Sequence, residues 1–321
     1  MRVLVTGGSG HLGSYVVREL LRRGHETAVL VRAGRDPWRL ADVTRRIQKI
    51  DGDLTNLAAA EGAIKVFAPE SIIHAAWAGV GSAQRQDPQQ IETNVFASLT
   101  LVRIALEVRA ASLIGIGSQA EYGGTGILSE SARTQPQNLY GVAKLAVAQL
   151  SEALCHEYGI RFVWLRLFAS YGPMDDRSHL IPFLIDELQA GREPALTPGE
   201  QKWDYLFVED AAVAICMCAE RGDMRGVFNL GSGAAVTVME IARQVRASVG
   251  TAVSLRFGAK PYPAGQIMHL EADVTRLRSA LNWKPIVELA DGLSRTVAWH
   301  SAVASQNDSS TSGGPTERLS Q

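Results

Sequence analysis

The sequence lacks a strong net charge and long apolar runs. Its 321 residues carry a formal net charge of −1, which provides no electrostatic basis for binding nucleic acid or an anionic membrane. No segment approaches the about twenty apolar residues that a membrane-spanning helix needs. We therefore predict a protein with neither nucleic-acid nor membrane partners.

Cysteine is also scarce. The three cysteines, Cys155, Cys216 and Cys218, lie in apolar segments with a helical pattern, so we expect buried thiols. We predict no metal site, because Cys-x-Cys without further cysteine or histidine nearby is a poor zinc ligand set. The chain enters a strand-like run at Arg2–Thr6 without a signal-peptide pattern. These features lead us to expect a cytoplasmic protein.

Short β-branched runs alternate with amphipathic patterns over the first two thirds of the chain. The predicted strands are Val3–Thr6, Thr27–Val31, Ile47–Ile50, Ser71–Ala75, Ser112–Ile116 and Phe162–Leu165. The helices between them include Leu12–Arg23, Asn56–Phe67 and Pro88–Val108. This alternation predicts an α/β fold, a Rossmann-type doubly wound parallel sheet with helices on both faces.

A three-glycine turn leads from the first predicted strand directly into a helix, at Gly7, Gly10 and Gly13. Glycine is needed where such a turn is tight and where the backbone approaches a pyrophosphate. The N–H groups at the start of the helix favour phosphate. In an alternating α/β chain this spacing predicts a dinucleotide site, which also includes His11 and Leu12.

The residues after the second and third strands bear on which dinucleotide binds. Arg32 and Arg35 follow the second strand, where NAD-binding proteins place a carboxylate against the ribose. A guanidinium suits a 2′-phosphate, so we predict NADP(H), with NAD(H) as the alternative. Asp53 and Leu54 follow the third strand, where Asp53 is either an adenine contact or a helix N-cap.

The pattern changes after Pro173, where the elements of a smaller lobe begin. We predict a dinucleotide-binding domain at 1–172 and a C-terminal α/β substrate lobe at 173–303, with some strands and helices returning to the main domain. Residues 304–321 are polar and rich in glycine and serine, and we expect them to form a disordered tail.

Tyr140 and Lys144 lie four residues apart in a predicted helix, so their side chains share one face. A nearby ammonium lowers the pKa of a phenol and makes it usable as an acid or base. The spacing alone is more typical of an ordinary helix surface than of a catalytic pair, so other motifs must decide.

Further motifs are spread over nearly all of residues 1–300. They are TGGSGHLG (6–13), DGDLTN (51–56), IIHAA (72–76), NVFAS (94–98), GSQAEYG (117–123), YGVAK (140–144) and RLFASYGP (166–173). Together they resemble the extended short-chain dehydrogenase/reductase family, the NAD-dependent epimerases and dehydratases whose members act on nucleotide-linked sugars.

The resemblance implies a catalytic set of Ser118, Tyr140 and Lys144. Tyr140 would exchange a proton with the sugar oxygen, Ser118 would hydrogen-bond that oxygen, and Lys144 would hold the tyrosinate and bond the nicotinamide ribose. It further implies cofactor contacts at Ala75, Ala76 and Asn94, although Asn94 is also interpretable as support for backbone geometry or as a helix cap.

The resemblance also separates the reaction types within the family. Dehydratases carry Asp-Glu directly after the catalytic Thr, whereas this chain has Gln119 and Ala120, so dehydration is not expected. The best-known epimerases carry Asn in FNxYGP and Arg before DY, where this chain has Ala169 and Trp203. The segments GSQAEYG and LTPGEQKWDYLFVED resemble the branch that reduces 4-keto-6-deoxy sugars.

The expected substrate contacts form a larger set: Gln119, Glu121, Tyr122, Ala169, Arg177, Lys202 and Trp203. The departures at Ala169 and Trp203 remove groups that in relatives typically bind the phosphates of the sugar nucleotide. Lys202 and Arg177 are candidates to bind the substrate pyrophosphate in their place. Lys260 and Arg166 are further candidates. Trp203 would stack on base or sugar, or belong to the core.

We therefore expect an NADPH-dependent reductase of the 4-keto group of a dTDP- or CDP-linked 4-keto-6-deoxyhexose. The alternatives are a nucleotide-sugar 4-epimerase with tightly bound NAD and a non-enzymatic dinucleotide sensor. The helices Pro88–Val108 and Tyr140–Tyr158 carry apolar residues on more than one face, and in relatives this pair forms a dimer interface. We predict a homodimer, with burial in a single-chain core as the other explanation.

Overall fold

The computed structural model describes residues 1–311. Over this range the strands β1 to β12 are Arg2–Thr6, Glu26–Val31, Gln48–Asp51, Ser71–His74, Ser112–Ser118, Gly126–Leu128, Arg161–Leu167, Ala169–Tyr171, Lys202–Phe207, Gly226–Leu230, Ala235–Thr237 and His269–Ala272. The helices α1 to α9 are His11–Arg22, Glu61–Phe67, Phe96–Glu107, Leu139–Glu157, Leu180–Gln189, Val208–Glu220, Val238–Val249, Thr275–Leu281 and Leu289–Thr311.

The main sheet contains seven parallel strands in the order β10-β7-β5-β4-β1-β2-β3. Both of its faces are buried: Val3 and Val5 of β1 belong to one apolar core and Leu4 to the other, as the two-residue repeat of a strand requires. α1, α6 and α8 cover the first face, and α2, α3 and α4 cover the second. The Rossmann-type sheet expected from the sequence is confirmed.

A smaller sheet of order β11-β9-β12-β6 lies beside the main one, and β8 pairs with β9. α5, α7 and α9 pack with β8 and β9 around a third apolar core. β6 reaches this sheet from the first half of the chain, whereas β10 returns to the main sheet. The chain therefore crosses between the two units on both sides of the expected boundary at residue 172.

The C-terminal helix is longer than expected. α9 continues to Thr311, so the first part of the segment expected to be a disordered tail is helical. Residues 312–321 lie outside the described residues. Within 1–311, no helix has the length and apolar character needed to cross a bilayer.

The carboxyl ends of the parallel strands bring the expected site residues to one edge of the sheet. The glycine turn follows β1, Ala75 and Ala76 follow β4, and Ser118 ends β5. In open α/β sheets this edge, near the point where the strand order reverses, is where ligands bind.

Candidate active site

The turn between β1 and α1 has the geometry of a phosphate cradle. Gly7 has a φ of +74°, and a Cβ there would lie 2.5 Å from the Ala76 backbone nitrogen, so only glycine fits. α1 begins at His11, its N-cap Gly10 offers no capping side chain, and its first turn has no acidic residue. The free N–H groups at this helix start therefore suit the pyrophosphate of a dinucleotide.

His11 and Leu12 have different surroundings in the first turn of α1. The imidazole of His11 lies against the segment after β8, with Nε2 3.1 Å from the Pro173 carbonyl and Nδ1 3.2 Å from an Asp175 carboxylate oxygen. Burial lowers its pKa, which Asp175 partly opposes. Leu12 packs against the first apolar core.

The basic turn after β2 lies where the sequence placed the adenosine ribose. The Arg35 N–H donates to the Arg32 carbonyl at 3.1 Å, so both arginines belong to one exposed turn. Asp53 caps the short helix 54–60 by accepting from the backbone and hydroxyl of Thr55 at 2.8 and 2.7 Å, and these bonds lower its pKa. Its carboxylate is 3.9 Å from Arg32 Nε, and Leu54 follows as the first residue of that helix.

Ser118, Tyr140 and Lys144 converge at the carboxyl end of β5, and all three are buried. Asn138 caps α4 by accepting the Gly141 N–H at 2.9 Å. Glycine is needed at 141 because a side chain there would collide with the Ala120 carbonyl. The cap and this close approach place Tyr140 beside Ser118.

The Ser118 hydroxyl is oriented by its own backbone surroundings. Its Oγ accepts the Ala120 N–H at 3.2 Å, which leaves the hydroxyl proton free to donate. A hydrogen bond with Ser118 lowers the pKa of Tyr140. The pair can therefore share a substrate oxygen, as the motifs implied.

Burial dominates the ionisation of the other two groups. It raises the pKa of Tyr140, an effect that Ser118 and Arg85 oppose and Glu121 reinforces. It lowers the pKa of Lys144 to about 7. Lys144 Nζ donates to the Ile116 carbonyl at 2.6 Å and lies 3.7 Å from the centre of the Trp77 ring.

Glu121 lies in the protein interior, and not at the surface of a substrate pocket as expected. Its carboxylate accepts from Arg166 Nε at 2.7 Å, from Trp164 Nε1 at 2.9 Å and from the Ser118 N–H at 2.9 Å. These partners satisfy both oxygens. Glu121 therefore supports Ser118, and Arg166 is not free to bind a pyrophosphate.

Tyr122 is likewise directed inward. Its hydroxyl donates to Asn229 at 2.6 Å, and the Arg166 guanidinium lies 4.5 Å from its ring centre. These two contacts place the Tyr122 side chain in the protein interior, whereas the sequence indicated a substrate contact. Gln119 is buried between Ser118 and Glu121.

The remaining expected substrate residues are spread over the smaller unit. Ala169 begins β8, Lys202 is exposed at the start of β9, and Trp203 packs against a fourth apolar cluster that contains Tyr122 and Phe168. Of the two roles left open for Trp203, stacking on the substrate or packing in the core, its surroundings are those of a core residue. Arg177 is exposed, 3.9 Å from an Asp186 oxygen.

Asn94 lies in a π-helical segment, Gln90–Val95, that precedes α3. Its side chain accepts the Ala78 N–H at 2.8 Å and donates to the Ala78 carbonyl at 3.0 Å. These two hydrogen bonds fix the segment after β4. Of the roles left open for Asn94, the structure therefore shows the support of backbone geometry.

His74, a buried histidine that the sequence did not single out, links β1 to the segment that contains Asn94. His74 Nδ1 is 2.7 Å from the Thr6 hydroxyl, and Nε2 is 2.8 Å from the Ser98 hydroxyl. Ser98 donates to the Asn94 carbonyl, so His74 must donate from Nε2 and accept at Nδ1. Burial lowers its pKa to about 3. The motif IIHAA contained this residue, but nothing in its spacing indicated the partners.

A cavity of about 870 Å³ opens elsewhere, between β9, the residues after β10 and the segment joining α8 to α9. Tyr205, Ser232 and Trp283 are among its lining residues. Ser118, Tyr140 and Lys144 do not line it, so this cavity is separate from the candidate active site.

The family model for the NAD dependent epimerase/dehydratase family matches residues 3–231. The chain belongs to this family. The match confirms the resemblance drawn from the motifs and the expectation of a nicotinamide-dependent enzyme. The family uses NAD.

Two curated relatives span almost the whole chain. A dTDP-glucose 4,6-dehydratase from Streptomyces niveus is 28% identical, over 94% of this chain and 93% of the relative. A UDP-glucose 4-epimerase from Halalkalibacterium halodurans is 28% identical, over 89% of this chain and 91% of the relative. This chain is therefore similar both to a dehydratase and to an epimerase.

A solved structure extends the comparison to the fold. The UDP-glucose 4-epimerase of Thermotoga maritima, determined with UDP-glucose, is similar with a TM-score of 0.86 and 25% identity, covering 95% of this chain and 100% of that one. The two units of the present chain thus occur together in a nucleotide-sugar enzyme.

Proposed function

We propose that this enzyme is an NADPH-dependent reductase of the 4-keto group of a dTDP- or CDP-linked 4-keto-6-deoxyhexose. The observation that carries the proposal is the contact between Ser118 and Tyr140 at the edge of the sheet that bears the glycine turn. A carbonyl oxygen between these two hydroxyls would receive a hydrogen bond from each.

The chemistry divides between the cofactor and the chain. The bound nicotinamide supplies the hydride. Tyr140 donates its proton to the carbonyl oxygen, and Ser118 stabilises the negative charge that develops there. Lys144, which has a pKa of about 7, would hold the nicotinamide ribose from α4.

NADP(H) is the cofactor we propose within this NAD-dependent family. Arg32 directly follows β2, and Arg35 shares its turn. Two exposed guanidinium groups suit a 2′-phosphate. Asp53 is held as a helix cap and lies near Arg32, which leaves both arginines facing solvent at this edge.

The residues after Ser118 argue against dehydration. Gln119 and Ala120 carry no acid or base, and the next carboxylate, Glu121, is fully enclosed by Arg166, Trp164 and the Ser118 N–H. Elimination of water needs a further acid and base at the sugar, and the immediate neighbours of Ser118 do not supply them.

A 4-epimerase is the second candidate, and the comparisons favour it. A UDP-glucose 4-epimerase is among the relatives, and another shares the fold with UDP-glucose bound. In such an enzyme the same residues would remove and return the proton, while bound NAD would accept a hydride from the sugar carbon and return it to the opposite face. The nucleotide-linked sugar is therefore the substrate class in both proposals.

One assay separates the two candidates. The purified enzyme is incubated with dTDP- and CDP-4-keto-6-deoxyglucose and NADPH, and reduced-nicotinamide absorbance and product stereochemistry are followed. The reductase proposal expects one NADPH consumed for each sugar reduced. Bound NAD in the purified protein, epimerised sugar and no net NADPH loss would replace it with the epimerase. Binding without any turnover would favour a dinucleotide sensor.

We also propose a cytoplasmic homodimer. α4 and the segment leading into α3 expose large apolar side chains, with Phe96 63% and Leu150 45% exposed. The others are Ile91 in the segment before α3, Val142 and Leu154 on α4, and Tyr158 directly after α4. Exposed apolar surface of this kind is typical of a subunit interface. The three cysteines are buried free thiols, as suits a reducing compartment.

A further inference from the structure

The loop between β4 and α3 is fixed beside the active site by two buried carboxamides. Asn94 holds Ala78 through two hydrogen bonds. Gln90 donates to the carbonyls of Gly79 at 2.6 Å and Gln84 at 3.1 Å, and accepts from Trp77 Nε1 at 2.8 Å. The residue that follows Gln84 is therefore held in a defined place.

That residue, Arg85, is joined directly to the start of α4. Its carbonyl accepts the Tyr140 N–H at 2.9 Å, and the neighbouring Gln86 side chain accepts the Leu139 N–H at 3.2 Å. The Arg85 guanidinium carbon lies 5.4 Å from the centre of the Tyr140 ring. Among the described residues, no carboxylate forms an ion pair with it; Nε points to the Val80 carbonyl at 3.4 Å.

Other charged groups also lie around Tyr140. Glu121 is paired with Arg166. Lys144 faces the Ile116 carbonyl and the Trp77 ring, with His74 behind it. His179, which is paired with Asp175, faces Arg85 from the segment after β8. Among the described residues, Arg85 is therefore a cation beside the Tyr140 ring that no carboxylate pairs, as is Lys144 on α4.

We propose that Arg85 is a second positive charge, in addition to Lys144, that favours the ionised form of the Tyr140 phenol. A cation at this distance stabilises a phenolate and opposes the effect of burial. Arg85 accordingly lowers the pKa of Tyr140, whereas burial raises it. Arg85 is a positioning residue, since it acts through Tyr140 and not on the reacting atoms.

This inference rests on the proposed function for its purpose, because it names a charge that helps Tyr140 exchange a proton with a sugar oxygen. The same effect serves a reductase, in which Tyr140 is an acid, and an epimerase, in which it alternates between base and acid. It does not depend on which of the two reactions occurs.

The test places a difluorinated tyrosine at position 140 and follows its fluorine resonance against pH. Fluorine makes the phenol more acidic, so ionisation occurs where the protein stays folded. The titration is compared in the wild-type background, in Arg85→Gln, in Arg85→Lys and in the control Arg45→Gln, which changes an exposed arginine of the short helix 44–46. Arg85→Ala is a second neutral variant with the same backbone carbonyl.

We expect Arg85→Gln and Arg85→Ala to raise the ionisation midpoint by about one pH unit. Arg85→Lys should restore most of the shift, and Arg45→Gln should leave the midpoint unchanged. An unchanged midpoint in both neutral variants would overturn the proposal, as would an equal rise in Arg85→Lys. The titration needs neither cofactor nor sugar, so its outcome is independent of whether the proposed turnover is found.

Discussion

Glu121 accepts the Ser118 N–H at 2.9 Å while it holds the buried Arg166 guanidinium at 2.7 Å. One carboxylate thus links an interior ion pair to the backbone of the candidate catalytic serine. The site is therefore supported from the core, and its geometry and the stability of the fold depend on the same group.

Glu121→Gln should disturb the geometry around Ser118 and lower the stability of the fold. The change leaves Arg166 as a buried charge without its counter-ion, which costs about 3 kcal/mol in the free energy of unfolding. Urea denaturation checks this, with the exposed Glu152→Gln on α4 as the matched control. Equal stability of the two variants would show that the buried ion pair does not have the role assigned to it.

Lys144→Met should change how stability depends on pH. The pKa of Lys144 is about 7 in the folded chain, whereas an unfolded lysine titrates near ~10.4. Between these values the unfolded state binds the extra proton, so this lysine makes the free energy of unfolding rise with pH over that window. The rise should be smaller in Lys144→Met.

Denaturant midpoints of both proteins, measured from pH 7 upward, test this expectation. Burial raises the pKa of the three thiols, which gives the opposite slope in both proteins. Only the difference between the two curves therefore reports Lys144. Parallel curves would contradict a lysine buried with a lowered pKa.

The sheet and the convergence of the candidate catalytic residues were predictable from the sequence. Runs such as Val3–Thr6 and the glycine turn after it are local patterns, and parallel strands bring their carboxyl ends to one edge whatever lies between them. Ser118, Tyr140 and Lys144 were found by motif, and the fold brings them together as expected.

The short strands of the smaller unit were not predictable. β6, β8 and β11 have three residues each and β12 has four, which is too short for a two-residue repeat to stand out. Their pairing depends on contacts between distant segments, such as β6 with β12. No local pattern encodes these contacts.

The partners of individual side chains were also beyond the sequence. The sequence indicated Glu121 as a substrate contact and gave no sign of its interior partners, because Arg166 and Trp164 meet it only through the pairing of β5 with β7. Arg85 belongs to no recognisable motif. Its position follows from hydrogen bonds made by Gln90 and Asn94, which are visible only in three dimensions.

The basic turn after β2 predicts a selective effect on cofactor binding. Replacing both Arg32 and Arg35 with Gln removes two charged partners of a 2′-phosphate, so NADPH affinity should fall about tenfold or more. NADH affinity should change little. Fluorescence titrations with the two cofactors measure this, and equal losses for both would indicate that the turn does not discriminate between them.

The exposed apolar face of α3 and α4 predicts a change in assembly. Leu150→Glu places a charge in the proposed interface, where it would be desolvated, and should convert a dimer into monomers in sedimentation experiments. Ile127→Glu is the control, since Ile127 is 64% exposed on β6 and outside these helices. A wild-type protein that sediments as a monomer would remove the dimer proposal.

The most direct test of the site as a whole is Tyr140→Phe, which removes one oxygen and retains the buried ring. NADPH consumption with a 4-keto-6-deoxy nucleotide sugar, and cofactor affinity by titration, are measured on the variant and on the wild type. The account predicts that turnover is lost while cofactor affinity stays within about twofold, because the phenol supplies the proton and the glycine turn supplies most of the binding. Turnover at the wild-type rate in Tyr140→Phe would contradict it.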